Sequence, residues 1–130
     1  MKRSAHASVS LLLAGAWAGL GSAAAAAPAT RLLDAMRAEP FHVAGSDRTC
    51  TRIIRAASGS AVVKTGAEGV FCAALPASGL GLGLKVRDGA RRAADAAVLH
   101  LLTDLGCLPD DGPELLRNRA GTIVGQVRVA

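Results

Sequence analysis

A strictly alternating stretch, Leu80 to Arg87, places the tightest constraint on the fold of this chain. Leucine or valine stands at every second position as far as Val86, with glycine, lysine or arginine between. Because side chains alternate across a β-strand, one face carries leucines and the other carries Gly81 and Gly83. A glycine face lets another backbone approach closely, so we expect an element to pack directly against it. The glycine spacing does not match G-x-G-x-x-G, and a dinucleotide loop is not supported.

The other segments predict helices on either side of a group of strands. Leu32, Leu33 and Met36 share one face of a helix that begins near Pro28 and ends before Pro40. This order predicts an α+β fold, an antiparallel sheet packed with helices. Helices are predicted at 28–39, 48–57 and 90–105, with Ser46 or Asp47 and Asp88 as caps and Gly106 past the last end. Strands are predicted at 61–64, 67–75, 80–86 and 122–129, and loops at 41–46 and 109–113.

The amino-acid composition argues against nucleic acid as a partner and against a metal site formed by the cysteines. The 130 residues suffice for one domain, and the net charge of +5 is spread along the chain without a basic cluster. Two Phe, one Trp and no Tyr leave few rings for base stacking, so nucleic acid is not expected as a partner. Cys50, Cys72 and Cys107 are far apart, without a C-x-x-C or a nearby histidine pair. A metal site formed by these cysteines is not expected, and their odd number fits a reducing compartment.

The first 30 residues allow two interpretations. Lys2-Arg3, the apolar run 8–20 and the small residues 22–27 resemble an export signal that would end near Ala27. The same composition fits an alanine-rich helix that belongs to the domain. The apolar run is too short and too rich in glycine to predict a transmembrane helix. We therefore divide the chain into an alanine-rich or signal-like segment, 1–30, and a domain, 31–130.

Polar chemistry is concentrated in the stretch Ala61 to Phe71. It combines a short apolar strand, Lys64-Thr65-Gly66, and the lone carboxylate of Glu68. A lysine and a hydroxyl at a strand end can hold a substrate carboxylate or a tetrahedral oxyanion. The alternative is a solvated strand end with a surface Lys–Glu pair. An acyl-transfer enzyme also needs a nucleophile, usually Ser-x-x-Lys, and no serine of this chain has a lysine three positions later.

Several short motifs follow one another between about Arg31 and Ala130. The first are Asp34-Ala35-Met36-Arg37-Ala38, Val43-Ala44-Gly45, Asp47-Arg48 and Cys50-Thr51. The later ones are Lys64-Thr65-Gly66-Ala67-Glu68-Gly69-Val70, the run Gly79 to Gly89, Arg117-Asn118-Arg119-Ala120-Gly121 and Val124-Gly125. In this order and near this spacing, they resemble the C-terminal third of the Rhizobium-type bacterial L-asparaginases, the asparaginase II family.

The resemblance implies an amidohydrolase that converts L-asparagine to aspartate and ammonia, on a fold similar to serine β-lactamases and glutaminases. Lys64 would be the catalytic lysine on the edge strand, and Thr65, Gly66 and Glu68 would bind substrate in the same cleft. Cys50 occupies a motif position of unknown role. A cytoplasmic location is then expected, with export through residues 1–27 as the alternative, and residues 11–20 would be a remnant of a family helix.

The departures from the family pattern concern its N-terminal part. The Ser-x-x-Lys nucleophile lies there in the family, as do a second serine and the positions tied to zinc in some members. This chain carries none of these motifs, so we expect a truncated chain that is inactive alone and holds no zinc or other cofactor. Its partner would be a missing N-terminal half or a second copy in a homodimer, with no membrane partner. The alternative function is a small exported domain that binds an acidic ligand through Lys64, Lys85 and Arg87.

Overall fold

A computed structural model describes residues 5–21 and 27–129 of the chain, and it confirms the α+β class. The helices within these residues are α1 (Ala5–Gly21), α2 (Ala27–Ala38), α3 (Pro40–Ala44), α4 (Thr49–Ala56) and α5 (Arg91–Asp104). The strands are β1 (Val62–Thr65), β2 (Val70–Leu75), β3 (Leu80–Lys85), β4 (Glu114–Arg117) and β5 (Ile123–Val127). A short 3-10 turn, Pro76–Ser78, joins β2 to β3.

The main sheet is antiparallel, with the order β1-β2-β3. Its register places Lys64 opposite Cys72, and Cys72 opposite Gly83. Directly opposed residues of antiparallel strands point to the same face. Lys64 therefore projects from the face that carries the glycines of β3. The other face carries Phe71 and Leu82.

Helix α1 packs against the glycine face of β3, as the alternation of residues 80–87 predicts. A Cβ atom at Gly81 would overlap the backbone of Ala14 and Ala18, so only glycine allows this approach. Trp17 and Leu20 of the same helix are partly buried against the core. None of the described helices is long and apolar enough to cross a membrane. The signal-like features Lys2-Arg3 and 22–26 lie outside the described residues.

The hydrophobic core joins the sheet to α4 and α5. Its largest fully buried side chains include Phe71, Ile53 and Leu102. Val63 of β1 and Val98 of α5 are also completely buried. Because the chain has few aromatic residues, aliphatic side chains and alanines fill most of this core.

Helix α5 ends as its sequence predicts. Gly106 has φ of +70°, and its N–H donates to the Thr103 carbonyl at 2.9 Å. The Cys107 N–H donates to the Leu102 carbonyl at 2.8 Å, which completes a Schellman motif. At the other end, Asp88 accepts the Ala90 N–H at 2.8 Å, although Ala90 and not Asp88 holds the cap position.

Two local predictions differ from the structure in the first half of the domain. Residues Pro40–Ala44 form the short helix α3 where a loop was predicted, because proline at a first helical position starts a turn as readily as it ends one. Helix α4 begins at Thr49 with Arg48 at its cap, and Asp47 takes a left-handed φ of +53°. Neither Ser46 nor Asp47 caps it.

The C-terminal strand lies apart from the main sheet. Strand β5, predicted as residues 122–129, spans Ile123–Val127 and pairs only with β4. Strand β4 was not predicted, because Glu114-Leu115-Leu116-Arg117 lacks β-branched residues and is short. The turn 118–121 between the two strands agrees with the sequence, since the Gly121 N–H donates to the Asn118 carbonyl at 2.9 Å.

Candidate functional site

Lys64 lies near the end of β1, which is an edge strand of the main sheet. Its side chain is exposed, and its ammonium donates to the carbonyl oxygen of Thr65 at 2.9 Å. An ammonium group has three N–H donors. Since this bond uses one of them, two donors remain for an anionic group of a ligand. The strand therefore holds Lys64 in place without neutralising it.

An open cleft of about 590 Å³ borders Lys64. Its other wall comes from α2, α3 and the residue between them, which contribute Met36, Glu39, His42 and Val43. Most of this lining is apolar, with one carboxylate and one imidazole beside the lysine. Among the residues that line the cleft, none carries a hydroxyl or a thiol. The cleft can thus bind and polarise a small charged molecule, but its described lining offers no oxygen or sulfur nucleophile.

The turn after Lys64 has a strained backbone that is well anchored. Glu68 and Gly69 have φ of +53° and +70°, the left-handed values that both central residues of a type I′ turn adopt. The Gly66 N–H closes the hairpin on the Val70 carbonyl at 2.8 Å. A Cβ on Gly69 would lie 3.0 Å from the Val86 Cβ and 3.1 Å from the Gly89 carbonyl carbon. The turn therefore has no room for a side chain at Gly69.

Lys85 binds this turn from the neighbouring strand. Its ammonium donates to the Glu68 carbonyl at 2.5 Å and to the Val86 carbonyl at 2.7 Å. Sequence reasoning placed Lys85 on a ligand-binding surface and did not foresee this structural role. The signal that was missed is the position of Lys85 in the sheet. It stands opposite Val70, the first residue after the turn.

Cys50 lies beneath the strand end that carries Lys64. It is almost fully buried, and its sulfur accepts the Thr65 N–H at 3.2 Å. Burial raises the pKa of the Cys50 thiol, while the Thr65 N–H and the Lys64 charge oppose this shift. Burial also raises the pKa of the Cys72 thiol, which stands opposite Lys64. Both thiols are therefore neutral at pH 7, and Cys50 supports the backbone next to Lys64.

The structure brings together some of the predicted site residues and not others. Lys64, Thr65 and Cys50 are in contact through the strand end. The Thr65 hydroxyl turns to the Gly66 and Val70 carbonyls, at 3.3 and 3.4 Å, and does not line the described cleft. Gly66 and Glu68 do not line it either, so substrate binding by these three residues stays a prediction.

Two residues of the cleft were missed by sequence reasoning. Glu39 had been assigned only to a helix end, and His42 to a loop. Both line the cleft because α3 turns the chain back beside β1. The available signal was the presence of a carboxylate and an imidazole three positions apart, which a short helix places on one side.

No metal centre is formed by the described residues. Within 5–21 and 27–129, no group of three or more His, Cys, Asp or Glu side chains could hold a metal ion. The three cysteines are free.

Fold and cleft together define an α+β protein with a cationic strand end beside a small, mostly apolar cleft. A family model described as L-asparaginase II matches residues 5–129, nearly the whole chain. The chain therefore belongs to the L-asparaginase II family. Membership implies a small-molecule substrate. No curated protein matches the chain.

Proposed function

We propose that this chain forms the lysine-bearing wall of an L-asparagine amidohydrolase site. The observation that carries the proposal is the position of Lys64 in the lining of the cleft, with two N–H donors available. Family membership supplies the reaction class. The Rhizobium-type assignment, the likeness to serine β-lactamases and a cytoplasmic location accompany this proposal as predictions.

The reaction breaks the C–N bond of the side-chain amide. A nucleophilic oxygen adds to the amide carbon, ammonia leaves with an added proton, and water then releases aspartate. During both additions the former carbonyl oxygen carries negative charge. The Lys64 ammonium is suited either to stabilise that oxyanion or to bind the substrate carboxylate. Its bond to the Thr65 carbonyl fixes its direction beforehand, which lowers the cost of orienting it in the transition state.

The nucleophile has to come from outside the described lining of the cleft. Since neither hydroxyl nor thiol lines it, we propose that a Ser-x-x-Lys segment outside residues 5–129 completes the site. The chain alone would then bind substrate weakly and release no ammonia. The alternative function is an exported domain that binds an acidic ligand through Lys64, Lys85 and Arg87. The Lys85 ammonium already uses two of its three N–H donors on backbone carbonyls, which weakens its contribution to such a surface and favours the enzymatic proposal.

The test measures ammonia release from L-asparagine by the purified chain, alone and mixed with a family N-terminal half. We expect turnover only in the mixture. Lys64→Met should abolish it, because the oxyanion or carboxylate loses its cation. Arg87→Met removes one positive charge from an exposed position and serves as the matched control.

Two outcomes would contradict the proposal. Turnover by the chain alone would show that the nucleophile lies within it. Wild-type turnover in a complemented Lys64→Met variant would reduce Lys64 to a solvated strand residue. Circular dichroism of each variant separates loss of activity from loss of folding.

A further inference from the structure

A second open cleft, of about 770 Å³, lies between two helices of the domain and the β4–β5 hairpin. Helices α4 and α5 form one wall, and the segments 108–115 and 127–129 form the other. Its volume is within the range of about 300–1,000 Å³ that is usual for small-molecule sites. It shares no lining residue with the Lys64 cleft, so an inference drawn from it goes beyond the proposed function.

Apolar side chains line much of this second cleft. On the helical wall, Ile53 of α4 belongs to the buried core, and Leu99 of α5 packs against that core. On the hairpin wall, Leu115 and Val127 line the cleft. Since burial of apolar surface is favourable, a cleft with this lining favours a ligand that has an apolar body.

Charged groups of opposite sign lie on the two walls. Arg52 lines the cleft from α4, whereas Asp111 and Glu114 line it from the other wall. No ion pair of the described residues joins the walls, because each of the three ion pairs found there lies within a single helix. A ligand that carries both charges at separate ends can therefore pair with both walls.

The other charged groups of the lining already have partners close by in the chain. These partners are His100 for Asp104, at 3.4 Å, the Gly112 N–H for Asp110, at 3.0 Å, and the Gln126 amide oxygen, with that amide oriented to accept, for Arg128, at 2.6 and 2.9 Å. Arg52, Asp111 and Glu114 form no ion pair with any described residue, and all three are exposed. One cation on the helical wall and two carboxylates on the other wall are thus available to a ligand.

We propose that this cleft binds a short apolar peptide with free termini. The peptide carboxylate pairs with Arg52, its terminal ammonium pairs with Asp111 and Glu114, and its side chains cover the apolar lining. An extended chain spans up to about 3.5 Å per residue, so two residues separate the charged termini by about 7 Å. A single amino acid carries both charges on one carbon and cannot separate them in this way. A diamine or a dicarboxylate would leave one wall unpaired.

The experiment is an NMR titration of the full, isotope-labelled chain with the dipeptide Leu-Leu. N-acetyl-Leu-Leu lacks the ammonium and Leu-Leu amide lacks the carboxylate, so each blocked peptide tests one wall. The protein variants are Arg52→Met and the double variant Asp111→Asn, Glu114→Gln. Arg55→Met is the matched control for Arg52→Met, because Arg55 is also exposed on α4 and does not line the cleft.

Leu-Leu should bind the wild type with a Kd on the order of 1 mM and shift mainly the amide signals of the cleft residues. Each blocked peptide should bind about fivefold more weakly, the loss expected for one exposed ion pair. Arg52→Met should bind Leu-Leu and its amide equally, because the cation that distinguishes them is gone. The double carboxylate variant should likewise bind Leu-Leu and its acetyl derivative equally. Arg55→Met and Lys64→Met should leave every affinity unchanged.

Four results would overturn the proposal. The first is the absence of saturable binding at about tenfold the expected Kd. The second is equal affinity of the wild type for Leu-Leu and both blocked peptides. The third is an Arg52→Met variant that still prefers Leu-Leu to its amide. The fourth is loss of affinity in Lys64→Met, which would place the peptide in the other cleft. Each variant has to retain the wild-type circular dichroism, and the blocked peptides test the wild type itself where a variant does not fold.

Discussion

Replacement of Gly81 by alanine tests the contact between α1 and the sheet. The new Cβ would lie 2.9 Å from the Ala18 Cα and closer still to the Ala14 oxygen and the Ala18 nitrogen. All three are backbone atoms, so no change of rotamer can relieve the overlap. The helix itself has to move away from β3.

The expected cost follows from two opposing effects. Overpacking of a close contact costs about 1–3 kcal/mol. Gly81 does not have a positive φ, so alanine also restricts the unfolded chain, which stabilises the fold by about 0.4–1 kcal/mol. We expect the free energy of unfolding to fall by about 1–2 kcal/mol. With a urea m-value of about 2 kcal/mol/M, the midpoint should fall by roughly 0.5–1 M.

The assay combines urea unfolding with tryptophan fluorescence. Trp17 is the single tryptophan and lies on α1, so its emission should shift to the red as the helix moves. Gly15→Ala is the matched control on the same helix, because a Cβ there has nothing within 4 Å and should stabilise α1 by about 1 kcal/mol. A Gly81→Ala protein as stable as the wild type, with unchanged emission, would refute the packing of α1 on β3.

Lys85 and the three cysteines give three further predictions. Lys85→Met should lower the free energy of unfolding by about 1–2 kcal/mol, since it removes charge-assisted bonds to two turn carbonyls, whereas Arg87→Met should stay within about 0.5 kcal/mol in the same urea titration. Burial raises the pKa of the Cys50 and Cys72 thiols above the value that each has in the unfolded chain. The buried neutral thiols therefore contribute their full stability below the unfolded-state pKa. That contribution is lost as the pH rises through the folded-state pKa. The urea midpoint should therefore fall above about pH 9, and alanine at both positions should flatten this slope; an unchanged slope would contradict the assignment. In the native protein at neutral pH, iodoacetamide should modify Cys107 before either buried thiol, as read by mass spectrometry.

Periodic patterns in the sequence were sufficient where local chemistry decides the structure. In α5, apolar residues recur every three or four positions from Ala90 to Leu105, and Gly106 marks the end of the helix; both signals depend on contacts a few residues apart. The alternation of β3 has the same local origin. Short elements were harder to predict. Helix α3 and strand β4 are held by their neighbours more than by their own residues, and four or five residues carry too weak a period to show this.

In the candidate site, too, only the residue marked by a local pattern could be predicted from the sequence. Lys64 could be singled out because a lysine and a Gly-rich turn after an apolar strand form a local pattern. Glu39 and His42 could not be assigned to the cleft, because α3 brings them there from more than twenty residues away in the chain. Lys85 was assigned a ligand-binding role for the same reason. Its partners, the Glu68 and Val86 carbonyls, become visible only when β3 is paired with β2.

The sequence by itself determined that this chain forms an α+β domain with a glycine face that another backbone must cover. It also singled out Lys64 and the family to which the chain belongs. Only the tertiary structure decided that α1 covers the glycine face and that β5 lies outside the main sheet, paired with β4. The physical reason is range: propensity and periodicity act over a few residues. The approach of Ala14 to Gly81 depends on packing between segments more than sixty residues apart.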